Sequence, residues 1–167
     1  MPDGTFEIVG GKELEELLKQ LPDKVALRIE REALPAGGQV IVDLAKAKAP
    51  VLQGHVPSTK GHPHSPGMLR DSIGFVKARL SRDFLRLKIG ILRENSAFWA
   101  FWGHFVEFGT APSEARVSRK GRRYAAHHAT QAYPFMRPAA DEGKEAAVAA
   151  FMDAVRAGIE KEAAKRR

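Results

Sequence analysis

Apolar positions follow two different periods along this chain, and the changes between them mark out its elements. Leu14, Leu17, Leu18 and Leu21 recur at helical spacing behind Gly10-Gly11, which predicts a short helix over Lys12 to Gln20. Pro22 opens a second helix, in which the mixed charges from Asp23 through Ala33 leave Val25, Ile29 and Leu34 facing inward. Pro35 with Gly37 and Gly38 is expected to kink or interrupt it, because proline removes a backbone donor and its ring clashes with the preceding turn. The pattern resumes through Val40, Ile41, Leu44, Ala45 and Ala47. It stops at Ala49-Pro50, where the residue before proline is pushed out of the helical region.

The period then becomes two. After Gly67-Met68-Leu69 a turn of helix or the start of a strand is expected at Asp71-Ser72-Ile73, followed by a strand over Phe75 to Leu80. In the next strand Leu85, Leu87, Ile89 and Ile91 share one face and Arg86 and Lys88 the other, with Ser81-Arg82-Asp83 as the hairpin connection. Phe98, Phe101, Trp102 and Phe105 return to helical spacing, with Asn95 or Ser96 as cap and Gly109 as stop. Phe105 to Phe108 also fits a strand. A long C-terminal helix has Pro138 as its first residue, Asp141 and Glu142 near its positive start, and Lys161, Lys165, Arg166 and Arg167 at its negative end. Its apolar stripe is Val148, Phe151, Met152, Val155 and Ile159.

Two stretches carry neither period. Residues 51–67, with Pro57, Pro63, Pro66 and three histidines, and the basic, polar residues 111–132 are both expected as long exposed loops. Loops of more than about 12 to 15 residues in a compact domain are usually functional or disordered, and either suits a segment that orders only against a neighbour. The fold class is α+β: a small antiparallel sheet packed with N-terminal helices and one long C-terminal helix, in a single domain over residues 1–167.

A chain of 167 residues is long enough to bury about 70% of the surface its unfolded form exposes, so one real core is expected. No cysteine is present, which excludes a disulfide framework and thiolate zinc and fits a reducing compartment. The start, Met1-Pro2-Asp3-Gly4, has no basic region leading into an apolar one, and no stretch has the ~20 apolar residues of a membrane span, so a soluble intracellular product is expected. The net charge of +7 is concentrated centrally. Lys77, Arg79, Arg82, Arg86, Lys88 and Arg93 face only Asp83, and Arg116, Arg119, Lys120, Arg122 and Arg123 face only Glu114. Such a band suits polyanion, either DNA phosphates or an acidic protein surface.

Candidate chemistry is sparse. His62 with His64 and His127 with His128 lack the spacing of a zinc site and a nearby acidic partner, so no metal is expected. His104 and Glu107 lie three apart and could pair as acid and base, but no orienting group accompanies them. Gly37-Gly38 is not a nucleotide fingerprint, and no cofactor or small-molecule substrate is expected. Glu107, flanked by Val106 and Phe108 and followed by Gly109-Thr110, is the informative acid. Its setting predicts partial burial, and therefore a cation or backbone donors to offset desolvation, supplied by the basic band or by a neighbouring subunit.

Gly67-Met68-Leu69 with Ser72-Ile73, then Val106-Glu107-Phe108-Gly109-Thr110, then Pro134-Phe135-Met136-Arg137-Pro138-Ala139, in that order, closely resemble the HK97 gp10-like proteins of tailed bacteriophages and prophages. The likeness spans nearly the whole chain, from Gly11 to Ile159. It departs from the usual pattern in the proline- and histidine-rich loop before Gly67 and in Trp99 and Trp102. The resemblance implies a non-enzymatic neck, tail-completion or head-tail joining protein of the virion, assembled in the bacterial host cytoplasm. Such proteins sit as rings, commonly hexameric. The implied partners are copies of itself, the tail tube, head-completion or connector proteins, and DNA in the ring lumen; no membrane is among them. Family-motif residues would be Gly67, Leu69, Ser72, Ile73, Glu107, Phe108, Gly109, Thr110, Pro134, Phe135, Pro138 and Ala139, with Arg116, Arg119, Lys120, Arg122 and Arg123 at an interface or facing DNA. The competing expectations are a standalone basic nucleic-acid-binding protein and a hydrolase or metalloprotein built on the histidines.

Overall fold

The leucine spacing near the N-terminus forms α1 (Gly11–Lys19), and the segment after Pro22 forms α2 (Asp23–Lys48). A computed structural model describes residues 11–51, 66–81, 84–92, 102–117, 121 and 123–165. Further along come α3 (Met68–Ser72), β1 (Ile73–Ser81), β2 (Phe84–Ile91), α4 (Gly103–Phe108), β3 (Arg116–Val117), β4 (Arg123–Tyr124) and α5 (Met136–Ala164). Strands β1 and β2 form one two-stranded sheet and β3 and β4 another, so the class is α+β. The loop expected at 51–67 lies, for residues 52–65, outside the described residues.

By its contacts the chain divides into two compact units, one drawn from Met1–Ile41, Phe75–Lys88 and Gly143–Arg167, the other from Val42–Gly74 and Ile89–Glu142. The first unit holds a core of Leu14, Ile29, Ala33, Met152 and Val155, with Leu18, Leu21, Val25, Val148, Phe151 and Ile159 packed against it. Each fully buried aliphatic side chain there contributes roughly 1.5–3 kcal/mol. The expected α5 stripe is thus the observed one. Leu17 departs from its α1 companions and stays 46% exposed.

Pro35 does not interrupt α2, which runs as one helix through it. The neighbouring glycines account for this, because they are contact points here and not breaks. A Cβ on Gly37 would stand 2.6 Å from the Ala147 carbonyl oxygen, and one on Gly38 would meet the Leu87 side chain. Close approach of α5 and β2 to this stretch of helix offsets the hydrogen bond that proline forfeits. The alternation of β2 is as expected, with Leu85, Leu87, Ile89 and Ile91 partly buried and Arg86 and Lys88 exposed.

Residues 111–132 are not a featureless loop. Thr110 pairs with Thr130, Ser113 with His127, Arg116 with Tyr124 and Val117 with Arg123, all antiparallel and on one unbroken register. The segment is a hairpin arm, and Gly121 at its tip has a φ of 74°. Residues 111–117 and 125–134 are all exposed. From Thr110 to Arg116 the pairs recur at every third residue, without the two-residue alternation of a regular ladder, so the arm is only loosely paired.

Candidate functional site

Helix α4 is short because both of its ends are fixed. At its start Gly103 is buried, and a Cβ there would run into Ile91 and Leu69 side chains, so only glycine lets the helix seat against β2 and α3. At its end Gly109 takes φ 71° and ψ −179°, a conformation essentially confined to glycine. The segment Phe105 to Phe108 is therefore helical and not a strand. Residues 93–101, with the first turn of the aromatic helix expected from Phe98 onward, lie outside the described residues. Phe105, expected to face inward, is 40% exposed. The buried positions of this helix are Gly103 and Glu107.

Glu107 is 3% exposed, and both of its carboxylate oxygens are hydrogen-bonded. Its Oε2 accepts hydrogen bonds from the backbone N–H groups of Phe135 at 2.6 Å and Met136 at 2.9 Å. Its Oε1 accepts from the backbone N–H and the Nε of Arg137, both at 3.2 Å. Ala139 is the first residue of α5 to donate backward, to the Phe135 carbonyl, which makes Phe135 the cap residue. The helix start leaves four N–H groups without intrahelical partners. Three of them go to Glu107, and the fourth position is Pro138, which has no N–H to satisfy. One carboxylate supplied from α4 thus closes the whole start of a 29-residue helix.

This corrects the expected capping of α5 in two respects. The helix begins at Met136 and not at Pro138, and Asp141 and Glu142 lie beyond its first turn; Glu142 is paired with Lys48 at 2.8 Å. The negative charge at the positive helix end comes instead from Glu107, where the carboxylate also meets the helix dipole. The cation expected beside Glu107 is Arg137, from the motif at residues 134–139 and from neither basic stretch.

Burial alone pushes the Glu107 carboxyl up, but the amides of Met136, Phe135 and Arg137 and the Arg137 side chain together outweigh it and hold the group below its ordinary 4.5. Because the folded-state value is the lower one, the stabilisation is present above pH 4.5 and is lost as pH falls through the depressed value. Urea unfolding from pH 7 down to pH 3 is expected to reveal an acid-side loss of stability that Glu107→Gln flattens; identical profiles for the two proteins would contradict this assignment.

The remaining motif residues fix the backbone at the root of the arm and around α3. The Tyr133 N–H donates to the Val106 carbonyl at 2.7 Å, and Thr110 and Thr130 exchange backbone hydrogen bonds at 3.0 Å, so the base of the arm is tied on both sides of Gly109. Arg137 lies 5.3 Å from the Phe108 ring, which is itself 65% exposed. Phe135 and Ala139 are fully buried, while Pro134 is exposed. Gly67, with φ 83°, precedes α3. The Ser72 hydroxyl donates to the Leu69 carbonyl at 2.7 Å, Leu92 N–H donates to the Ser72 carbonyl at 2.7 Å, and Ile73 is fully buried. All of these roles fix backbone positions.

Glu107 cannot act as the partner of His104. Both carboxylate oxygens already take two donors each, while His104 is exposed and its ring packs 4.7 Å from that of Phe105. His127 and His128 are exposed, and His62 and His64 lie outside the described residues. Among the described residues no three His, Cys, Asp or Glu side chains converge as a metal site. Of the basic arm residues, Arg116 and Arg123 are exposed on β3 and β4, and Arg119, Lys120 and Arg122 lie outside the described residues. The role of Arg137 and of the three amides was missed from sequence. The only local sign of it was the Phe-Met-Arg-Pro order, in which a proline sits where a helix start can spare a donor.

A family model described as "Bacteriophage HK97-gp10, putative tail-component" matches residues 12–109, more than half of the 167-residue chain. The match includes Glu107 and Gly109 but ends before the helix start that Glu107 caps. No curated protein and no solved structure matches the chain.

Proposed function

The chain belongs to the HK97-gp10-like family, and on that premise we propose that it is a neck or tail-completion subunit of a tailed bacteriophage, prophage or phage-like particle, forming a ring at the head-tail junction. A tail-component family implies a virion location, and among the described residues no helix is long and apolar enough to cross a membrane. The observation that carries the reading is the use made of Glu107. The one deeply buried acid among the described residues spends both oxygens on helix-start amides and a guanidinium, which joins the two motifs mechanically and leaves no capacity for proton transfer. On this reading the protein is not an enzyme and works by presenting surfaces from a rigid joint.

The arm rooted at that joint is the natural contact for neighbours. A closed ring needs two different patches on each copy, and an exposed hairpin supplies one of them. Deleting residues 116–123 removes the tip while keeping the Thr110–Thr130 and Ser113–His127 pairs. The expected outcome is a folded monomer with an unchanged melting profile that neither forms rings nor completes particles. Normal particles from this variant would refute the role of the arm.

The basic residues of the arm also favour a second reading, nucleic-acid binding. That reading requires DNA affinity to fall steeply with salt as counterions are released. A flat salt response, or no binding at low salt, removes it.

A further inference from the structure

The arm bears an apolar residue among cations, and the first compact unit contains a recess of matching chemistry. Val117 is 65% exposed, next to the exposed Arg116 in sequence and paired across the hairpin with the exposed Arg123. Between α1 and α5 an open groove of about 220 Å³ is lined by Glu13, Leu14, Leu17, Arg156, Ile159 and Glu160. Leu17 is the one α1 leucine left largely exposed, and its exposure is at this groove. Two carboxylates stand at the groove, while the guanidinium of Arg156 is engaged by Asp153 at 3.2 Å.

We propose that Val117 of one copy inserts between α1 and α5 of a second copy, with Arg116 and Arg123 meeting Glu13 and Glu160. The occupant follows from complementarity: a recess lined by Leu14, Leu17 and Ile159 together with the carboxylates of Glu13 and Glu160 fits the apolar Val117 beside Arg116 and Arg123, and both are present on every copy. The contact is heterologous, one patch against a different one, so repeating it builds a ring or an open filament and not a two-fold dimer. This inference rests on the ring reading above and supplies its interface.

The test uses the full-length protein and mass measurement in solution. Arg116→Glu with Arg123→Glu disables the arm, and Glu13→Lys with Glu160→Lys disables the groove. Val117→Asp and Leu17→Lys repeat the two lesions at single exposed positions, in case Glu13→Lys frays the start of α1. Each lesion is expected to weaken self-association by about tenfold or more. Wild type gives rings, each variant alone gives monomer, and an equimolar mixture of the Val117→Asp variant with the Glu13→Lys, Glu160→Lys variant gives a one-to-one heterodimer that grows no further, since it holds one intact arm and one intact groove and its two altered surfaces set cations against cations. Rings that survive all four lesions overturn the docking while leaving the ring reading intact. Wild type that never assembles, alone or on tail tubes, overturns both. Loss of DNA retention in the arm variants with ring mass unchanged assigns the arm to nucleic acid and overturns the docking.

Discussion

Replacing Glu107 with alanine is expected to cost about 3–5 kcal/mol of folding stability, the range for removing one partner from a buried charged network. The loss comes from three N–H groups at the start of α5 and the Arg137 Nε, all left without their acceptor. A buried donor left unpaired costs about 1–3 kcal/mol; Phe135 N–H is the most enclosed of these, and water can partly replace the carboxylate at Met136 and Arg137. The ion pair itself is the smaller share. The Arg137 side chain is 61% exposed, so Arg137→Ala is expected to cost only about 1 kcal/mol or less. Urea or thermal unfolding of the two variants separates these contributions. A Glu107→Ala loss of under about 1 kcal/mol, or an Arg137→Ala loss as large as that of Glu107→Ala, would mean that the carboxylate does not hold the two motifs together.

Gly109→Ala is the second large effect expected, and it needs no change of charge. At φ 71° and ψ −179° any side chain is strained by about 1–3 kcal/mol. In addition, the new Cβ would lie 2.6 Å from the Thr130 carbonyl oxygen and 2.9 Å from the Ala132 nitrogen. Both neighbours are backbone atoms at the root of the arm and cannot rotate away, which adds an overpacking cost of about 1–3 kcal/mol. A total of roughly 2–6 kcal/mol is expected by denaturant unfolding, with faster amide exchange at Thr110 and Thr130, whose mutual hydrogen bonds the shift would open. Wild-type stability with unaltered exchange would show that the turn accepts a side chain.

The parts of the fold legible in the sequence were those in which a single element reveals its own period. Leu85 to Ile91 alternates because one face of β2 is partly buried, and Val148 to Ile159 follows a helical stripe because α5 packs on one side. Pro35 misled because the helix penalty of proline and glycine is local, whereas the packing of Gly37 on α5 and of Gly38 on Leu87 is tertiary and outweighs it. The arm was illegible for a related reason. Residues 111–117 and 125–134 are exposed and the pairs from Thr110 to Arg116 recur at every third position, so no apolar alternation marks them as strands.

The site itself was half legible. A glutamate set between Val106 and Phe108 before a Gly-Thr turn announces that it needs donors. That those donors are amides 28 to 30 residues later depends on the tertiary placement of α4 against the start of α5, which no spacing encodes. Yet two of the three motifs that carry the family resemblance, residues 106–110 and 134–139, are the two halves of this contact. Their sequence patterns follow from one physical requirement: a carboxylate, a glycine turn beside it, and a helix start whose fourth free position is proline.

On the proposed function, α5 and the arm lead from this joint to surfaces that meet neighbouring copies and the tail. Mass measurement with direct imaging of the purified full-length protein, alone and mixed with isolated tail tubes, tests that claim most directly. The account predicts rings of one fixed copy number, seated on tube ends. A protein that remains monomeric, stays off the tubes and is absent from complete particles would contradict it.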